Sequence, residues 1–204
     1  MPDQNKFLQL RKVIESSGDI AFCEEDFEQL TAFFRLRSLK KKEFFNRQDE
    51  YCRYVAFVNA GCLRCFHTND KGDELTLFFA FAGNWAGDKT SFYSGHPSIS
   101  SIQALEETEI LFVDKEGWEI AMDRIPAFEK WYRKRSRETL EDTQRKFVSH
   151  QTESAEEKYL NMLKNDPTIL TRVPQQYIAS YFGIKPQSLS RIRKLFSANP
   201  DFLT

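Results

Sequence analysis

The spacing of apolar residues changes along the chain, and each change marks a new kind of element. Over residues 1–35, Phe7, Leu10 and Ile14, then Phe27, Leu30, Phe33 and Phe34, recur at helical spacing, with a break at Ser16-Ser17-Gly18. From about Leu36 to Val113 the pattern shortens to strands. Arg35 to Lys40 alternates, Tyr51 to Val58 is aromatic and β-branched, and Cys62 to Thr68 resumes after an Asn59-Ala60-Gly61 turn. Asn69-Asp70-Lys71-Gly72-Asp73 is a hairpin signal leading into Glu74 to Ala82, and Ile102 to Val113 supplies two strands around Glu106-Glu107-Thr108. Frequent short strands separated by turns predict a β-roll or barrel. Residues 87–101 interrupt it with Gly, Ser and Pro. Such an insertion is either a surface loop or the seat of a small ligand.

Helical spacing returns after Asp114. A short helix is predicted to Met122, then a long one from Pro126 to about His150. Its candidate seam for a second copy is Phe128, Tyr132, Thr139, Thr143 and Phe147, near-heptad but polar in the middle. Thr152 is the expected cap of the next helix, whose stripe is Tyr159, Leu160 and Leu163 and which stops at Asn165-Asp166-Pro167.

Val173 to Phe196 reads as two short helices and a tight turn. Pro174 suits the first position of a helix. Ile178, Tyr181 and Phe182 form its apolar face, and Gly183 closes it. Pro186 opens a second helix with Leu189, Ile192 and Phe196 inward and Gln187, Ser188, Ser190, Arg191 and Lys194 outward. Arginine bonds guanine bidentately, glutamine bonds adenine, and lysine and serine hold phosphates. The pattern fits a DNA-reading helix-turn-helix and equally a helical hairpin with a solvated basic face.

Composition changes this picture in one respect. Net charge is −1 over 204 residues, which excludes a general polyanion binder. From Thr171 to the end, however, five basic residues face one acidic residue, and local charge governs a phosphate-facing surface. The polar start, MPDQNKF, lacks the apolar core of a signal peptide, and the longest apolar run, Leu77 to Gly83, is too short to span a bilayer. Four cysteines without an export signal suggest reduced thiols and a cytoplasmic protein.

Candidate chemistry is sparse. Cys62 and Cys65 lie three apart in a strand, so their thiols point to opposite faces and do not converge on a metal. His67, His96 and His150 are scattered. No nucleophile motif or phosphate-cradling glycine loop is present, so no catalytic or metal residues are assigned and the chain is read as a non-enzyme.

The order of elements, together with Phe57-Val58-Asn59-Ala60-Gly61-Cys62-Leu63-Arg64, Asp70-Lys71-Gly72-Asp73-Glu74, Gly87-Asp88 and YIASYFGIKPQSLSRIRK, resembles the Crp/Fnr family of bacterial transcription regulators, particularly its Bacteroidetes members. The resemblance covers about residues 10–196. It implies an α+β fold: a cyclic-nucleotide-binding-like double-stranded β-roll with N-terminal helices at 1–123, a long dimerisation helix at 124–150, and an all-α helix-turn-helix domain at 151–204. It implies a homodimer reading a two-fold operator through the helix 186–196, with double-stranded DNA, RNA polymerase and an unassigned small-molecule effector as partners and no membrane. In that family a glutamate of the effector cassette holds the ribose hydroxyl and an arginine pairs the cyclic phosphate. The matching positions here are Gly87, Asp88, Ser98 and Ile99, with Asp88 for the glutamate and Ser98 for the arginine. Losing a charge-assisted phosphate contact removes about 1.5–3 kcal/mol, so neither cyclic nucleotide nor any other assigned cofactor is expected. A cysteine-held iron–sulfur cluster is not supported, since Cys23 alone lies near the N-terminus. Pro186, Gln187 and Arg191 match the family's base-reading positions, and Pro186 departs from its usual arginine or serine. Ser197 to Thr204 is eight residues, too few for the family's full C-terminal wing. The alternatives are a small-molecule sensor acting through protein contacts and, less favoured, a cupin-like enzyme.

Overall fold

The structure is a computed structural model describing residues 4–16, 18 and 20–198. After a 3-10 turn (Gln4–Phe7) come α1 (Leu8–Glu15) and α2 (Glu24–Thr31). The β-roll follows: β1 (Arg35–Leu39), β2 (Phe44–Asn46), β3 (Tyr54–Ala60), β4 (Cys62–Thr68), β5 (Glu74–Phe81), β6 (Trp85–Ala86), the helix α3 (Lys89–Ser94), β7 (Ser101–Ala104) and β8 (Thr108–Asp114). The strands form two antiparallel sheets, ordered β1-β8-β3-β6 and β2-β7-β4-β5. Strands β2 and β6 escape a sequence reading because two or three residues are too few to show alternation.

Alternation along each strand decides where its side chains go. On β3, Ala56 and Val58 enter the roll and meet Leu63 and Cys65 of β4 and Ile102 of β7. Val55 and Phe57 face the other way, with Leu111 and Val113 of β8, and pack under the helices. Each such apolar side chain contributes about 1.5–3 kcal/mol when fully buried. On β4 the same rule turns Cys62 outward and Cys65 inward, so the two thiols lie in different clusters, as their spacing predicts.

Asp114 caps α4 (Lys115–Arg124) by accepting a bond from the Gly117 amide at 2.9 Å. Helix α5 (Pro126–Thr152) then runs from the roll toward the C-terminal unit, and its two halves differ. Phe128 and Trp131 are buried against Trp118 and Trp85. Farther along, Leu140 is 59% and Phe147 67% exposed. Phe128 therefore leaves the expected seam: it belongs to the core of the roll, because the first turns of α5 lie on that core. Tyr132 is half-buried there too, with its hydroxyl 3.0 Å from that of Tyr93.

The C-terminal unit holds α6 (Ala155–Asn165), α7 (Ile169–Arg172), α8 (Gln175–Phe182) and α9 (Pro186–Ala198). Ser154, not Thr152, caps α6, in a reciprocal capping box with Glu157; Thr152 is still inside α5 and bonds back to the Val148 carbonyl. Pro174 stands just outside α8 as its N-cap, one place earlier than expected. Gly183 closes α8 at φ 70°, the left-handed conformation expected of it. Among the described residues no helix is long and apolar enough to cross a membrane.

Candidate nucleic-acid interface and effector cassette

Helix α9 is held by its inward stripe. Leu189, Ile192 and Phe196 are buried with Ile178, Ala179 and Phe182 of α8, and Phe196 stacks on Tyr159 of α6 with centroids 5.7 Å apart. This fixes the rotation of α9 and leaves Pro186, Gln187, Arg191 and Lys194 exposed, with Ser188 and Ser190 half-buried beside them. Gln187, Arg191 and Lys194 stand at i, i+4 and i+7, so they share one face. Among the described residues none of the three has a hydrogen bond or ion pair. Arg193 behaves differently. It is half-buried and acts on the Tyr159 hydroxyl, whose pKa burial pushes up and Arg193 pulls back. The chain thus spends one arginine of this helix on its own packing and leaves the other outward. Ser197 is the last-turn start of the expected wingless tail; residues 199–204 lie outside the described residues.

The cassette has the opposite character. Gly87 adopts φ 156° where an added Cβ would stand 3.0 Å from Val55 Cγ1, so a side chain there would push on the core. Asp88 follows as the N-cap of α3. Its Oδ1 accepts from the Ser91 amide at 3.1 Å, and its Oδ2 accepts from the Ile99 amide at 3.1 Å and lies 2.8 Å from Ser98 Oγ. The Ser98 hydroxyl also lies 2.8 Å from the Ser100 carbonyl. Its backbone is zipped to the loop before β3: Asp49 donates to the Ser98 carbonyl and Ser98 donates to the Glu50 carbonyl, both at 2.8 Å. Ser98 is 1% exposed, whereas Ile99 is 68% exposed. Gly87, Asp88 and Ser98 are therefore brought together, while Ile99 contributes its amide and turns its side chain outward. The groups a phosphate would need, a hydroxyl and an amide, are held by the Asp88 carboxylate.

The thiols offer no second site. Burial pushes Cys62 up to about 12 and Cys65 up to about 11, which suppresses thiolate. Among the described residues no group of three or more His, Cys, Asp or Glu could hold a metal ion.

Three residues that matter were missed in the sequence. Arg64 is buried on the outer face of β4, under Tyr177 and beside Ser180 of α8. The available signal was a lone arginine within an apolar strand; Glu74 and Thr76, which it bonds, are on the next strand, but Tyr177, which covers it, lies more than a hundred residues away along the chain.

Residues 36–124 match the cyclic nucleotide-binding domain model. The chain is 24% identical over 187 residues to the transcriptional activator protein Anr of Pseudomonas protegens, covering 86% of this chain and 76% of that one. Its fold is similar to that of FixK2 from Bradyrhizobium japonicum, with a TM-score of 0.69, 18% identity, and coverage of 82% and 86% of the two chains. It is also similar to the global regulator CLP of Xanthomonas campestris, with a TM-score of 0.70, 16% identity, and coverage of 87% and 93%. Residues 36–124 are thus a cyclic nucleotide-binding domain, and with its roll joined through one long helix to a helix-turn-helix the chain is similar, along most of its length, to transcription regulators of the Crp/Fnr type.

Proposed function

We propose that this protein is a cytoplasmic, DNA-binding transcription regulator that acts as a homodimer, and that its effector cassette no longer takes a cyclic nucleotide. The observation that carries the DNA reading is the unpartnered face of Gln187, Arg191 and Lys194 on a helix whose other side is fixed by Leu189, Ile192 and Phe196. Arg191 and Gln187 read base edges; Ser188, Ser190 and Lys194 hold phosphates; Pro186 sets the start of the helix against the groove. The division into a roll at 1–123, a dimerisation helix at 124–150 and a reading unit at 151–204 is part of the same proposal, as is RNA polymerase as a further partner.

The dimer seam is Ser136, Leu140, Thr143 and Phe147, spaced four, three and four, the heptad rhythm of paired helices. Both large apolar members are exposed in the single chain, and Ser136 carries a buried hydroxyl without a partner. Phe147→Asp should shift the protein from dimer to monomer in sedimentation.

The decisive experiment is selection of duplexes from a random pool by the full-length protein. A two-fold sequence should emerge, and its affinity should fall steeply with salt, with a log–log slope of about −0.9 per phosphate contacted. If no duplex binds at low salt, the reading fails, and a sensor acting through protein contacts takes its place. Cyclic AMP or GMP at saturating concentration should leave the melting temperature unchanged. A ligand at a hundred times its Kd would add about 2.7 kcal/mol, which a melt would detect.

A further inference from the structure

The loop between β2 and β3, residues 47–53, is fixed from behind and open in front. Behind, its backbone is bonded to the segment before β7. The Asp49 amide donates to the Ser98 carbonyl and the Ser98 amide to the Glu50 carbonyl, both at 2.8 Å, and Tyr51 bridges Pro97. The Cys52 amide donates to Ser91 Oγ at 2.9 Å and the Gln48 amide to Ser101 Oγ at 3.0 Å. In front lies a cavity of about 460 Å³, within the ~300–1,000 Å³ range of small-molecule sites. Gly87, Asp88, Ser98 and Ile99 do not line it, so it is separate from the cassette.

Its wall has two kinds of surface. Phe45, Tyr51 and Tyr54 supply rings. Phe45 packs on the interior of the roll, and Tyr54 is held edge-on to Phe112 with centroids 5.3 Å apart. Beside the rings stand polar groups without partners. Asn46 is 7% exposed. Its Nδ2 donates to the Arg47 carbonyl at 3.2 Å and to the Ser100 carbonyl at 3.3 Å, which leaves Oδ1 unbonded. Among the described residues, the polar atoms sealed from solvent without a partner are Asn59 Oδ1, Trp85 Nε1 and Ser136 Oγ. Asn46 Oδ1 has no partner and is not sealed, so it opens into the cavity that Asn46 lines. An acceptor on so buried a side chain calls for a donor. The side chains of Asp49, Glu50 and Arg53 line the same cavity and, among the described residues, form no hydrogen bond or ion pair. Opposite charges that share a cavity and do not meet leave room between them for a molecule that carries both.

We propose that this cavity binds a free α-amino acid with an apolar or aromatic side chain. Its ammonium donates to Asn46 Oδ1, Asp49 and Glu50; its carboxylate accepts from Arg53; its side chain lies against Phe45, Tyr51 and Tyr54. An amine alone leaves Arg53 unpaired, and a carboxylate alone meets two like charges. The inference is independent of the DNA-binding reading and needs no duplex to test it.

The test uses the full-length protein. Its melting temperature is measured with each of the common α-amino acids in large excess. The strongest binder is then compared by calorimetry with its decarboxylated amine and its deaminated acid. An apolar or aromatic amino acid should raise the melting temperature, and each half-molecule should bind at least about tenfold more weakly. Arg53→Gln should weaken the amino acid about tenfold and leave the amine as it was. Asp49→Asn should weaken the amino acid and the amine alike, and not the acid. Asparagine is chosen because Asp49 sits at φ 66°, a conformation that asparagine also tolerates. Hydrogen exchange at the Asp49 and Ser98 amides should slow when the amino acid is bound. No shift with any apolar or aromatic amino acid overturns the proposal. So does an amine or an acid that binds as tightly as the amino acid, since the site then does not read both charges. An amino acid whose affinity both variants leave unchanged lies elsewhere on the molecule, and overturns it too.

Discussion

The two polar sites of this molecule are arranged in opposite ways. On α9, Gln187, Arg191 and Lys194 project outward with no hydrogen bond or ion pair among the described residues. In the cassette, Asp88, Ser98 and the Ile99 amide bond one another. A helix that must meet a ligand keeps its donors available, since each one used internally would have to be released on binding. A cassette whose donors already face a carboxylate has its anion built in, and an incoming phosphate would meet both a filled position and a like charge. On the function proposed above, the cassette serves as a structural clasp between the loop before β3, α3 and the start of β7, while α9 keeps the open character of a binding surface.

The sharpest way to break this contrast is at Arg191. Arg191→Ala should cost about 1–3 kcal/mol of affinity for the selected duplex and relax its preference at one base pair. Parent-like affinity and preference in a competition assay would show that the exposed face is not the reading face. The cassette should answer in stability instead. Asp88→Ala removes the cap of α3 and takes the acceptor from the Ile99 amide, and should lower unfolding free energy by about 1–2 kcal/mol in urea melts. Unchanged stability would mean that the clasp is idle and that the carboxylate is free for a ligand. A smaller effect is expected at Lys194. Lys194→Ala should weaken all duplexes alike and reduce the magnitude of the salt slope by about one. A change in sequence preference instead would make Lys194 a base reader and narrow the difference between it and Arg191.

Both sites were legible in the sequence as stretches of chain, but their states were not. The pattern of Leu189, Ile192 and Phe196 already implies which residues of α9 face outward, because a helix with one fixed apolar stripe has no freedom to present another. Likewise, alternation in β3 and β4 separates roll interior from outer face, down to Cys62 and Cys65 pointing apart. The missing arginine at Ser98 was visible too. That Asp88 would turn onto Ser98 depends on the backbone of two loops distant in sequence that meet through Asp49, Glu50 and Tyr51, and no local pattern encodes it. The seam of α5 was misread for a related reason. Phe128 and Phe147 look alike in a periodic count; only the position of the roll decides that Phe128 is core while Thr139, Thr143 and Phe147 stay exposed, and Leu140 is an exposed apolar residue the count passed over. The contact of α8 with β4 is the extreme case, since Arg64 and Tyr177 meet from more than a hundred residues apart in the sequence.

The mildest test lies between the two sites, where α5 meets the reading unit. The ring of His150 meets Tyr181 edge-on, with centroids 5.0 Å apart, and Lys158 donates to the His150 carbonyl at 2.9 Å. Burial lowers the His150 pKa below its ordinary 6.5; Lys158 and Lys146 push the same way, and Glu153 opposes them. A histidine whose folded pKa is depressed favours the folded state in its neutral form. Its contribution is complete above 6.5, where both states are neutral, and is lost as pH falls below 6.5 through the lower folded value, since the unfolded chain takes up the proton first. Taking the parent from about pH 7.5 to about pH 5.5 should therefore reduce its stability more than that of His150→Gln, a ring-free variant that does not titrate. The size should be small, because the ring is only half-buried and Glu153 offsets part of the lysine field. The same pH step should accelerate exchange at the Thr76 amide in the parent, because Tyr181 carries the His150 contact on the helix that holds Ser180 against β5. Parallel pH profiles for parent and variant would show that the junction does not sense the proton, and would leave the contacts of α7 and α8 with the roll, from Arg172, Tyr177, Ser180 and Tyr181, to hold the helical unit without it.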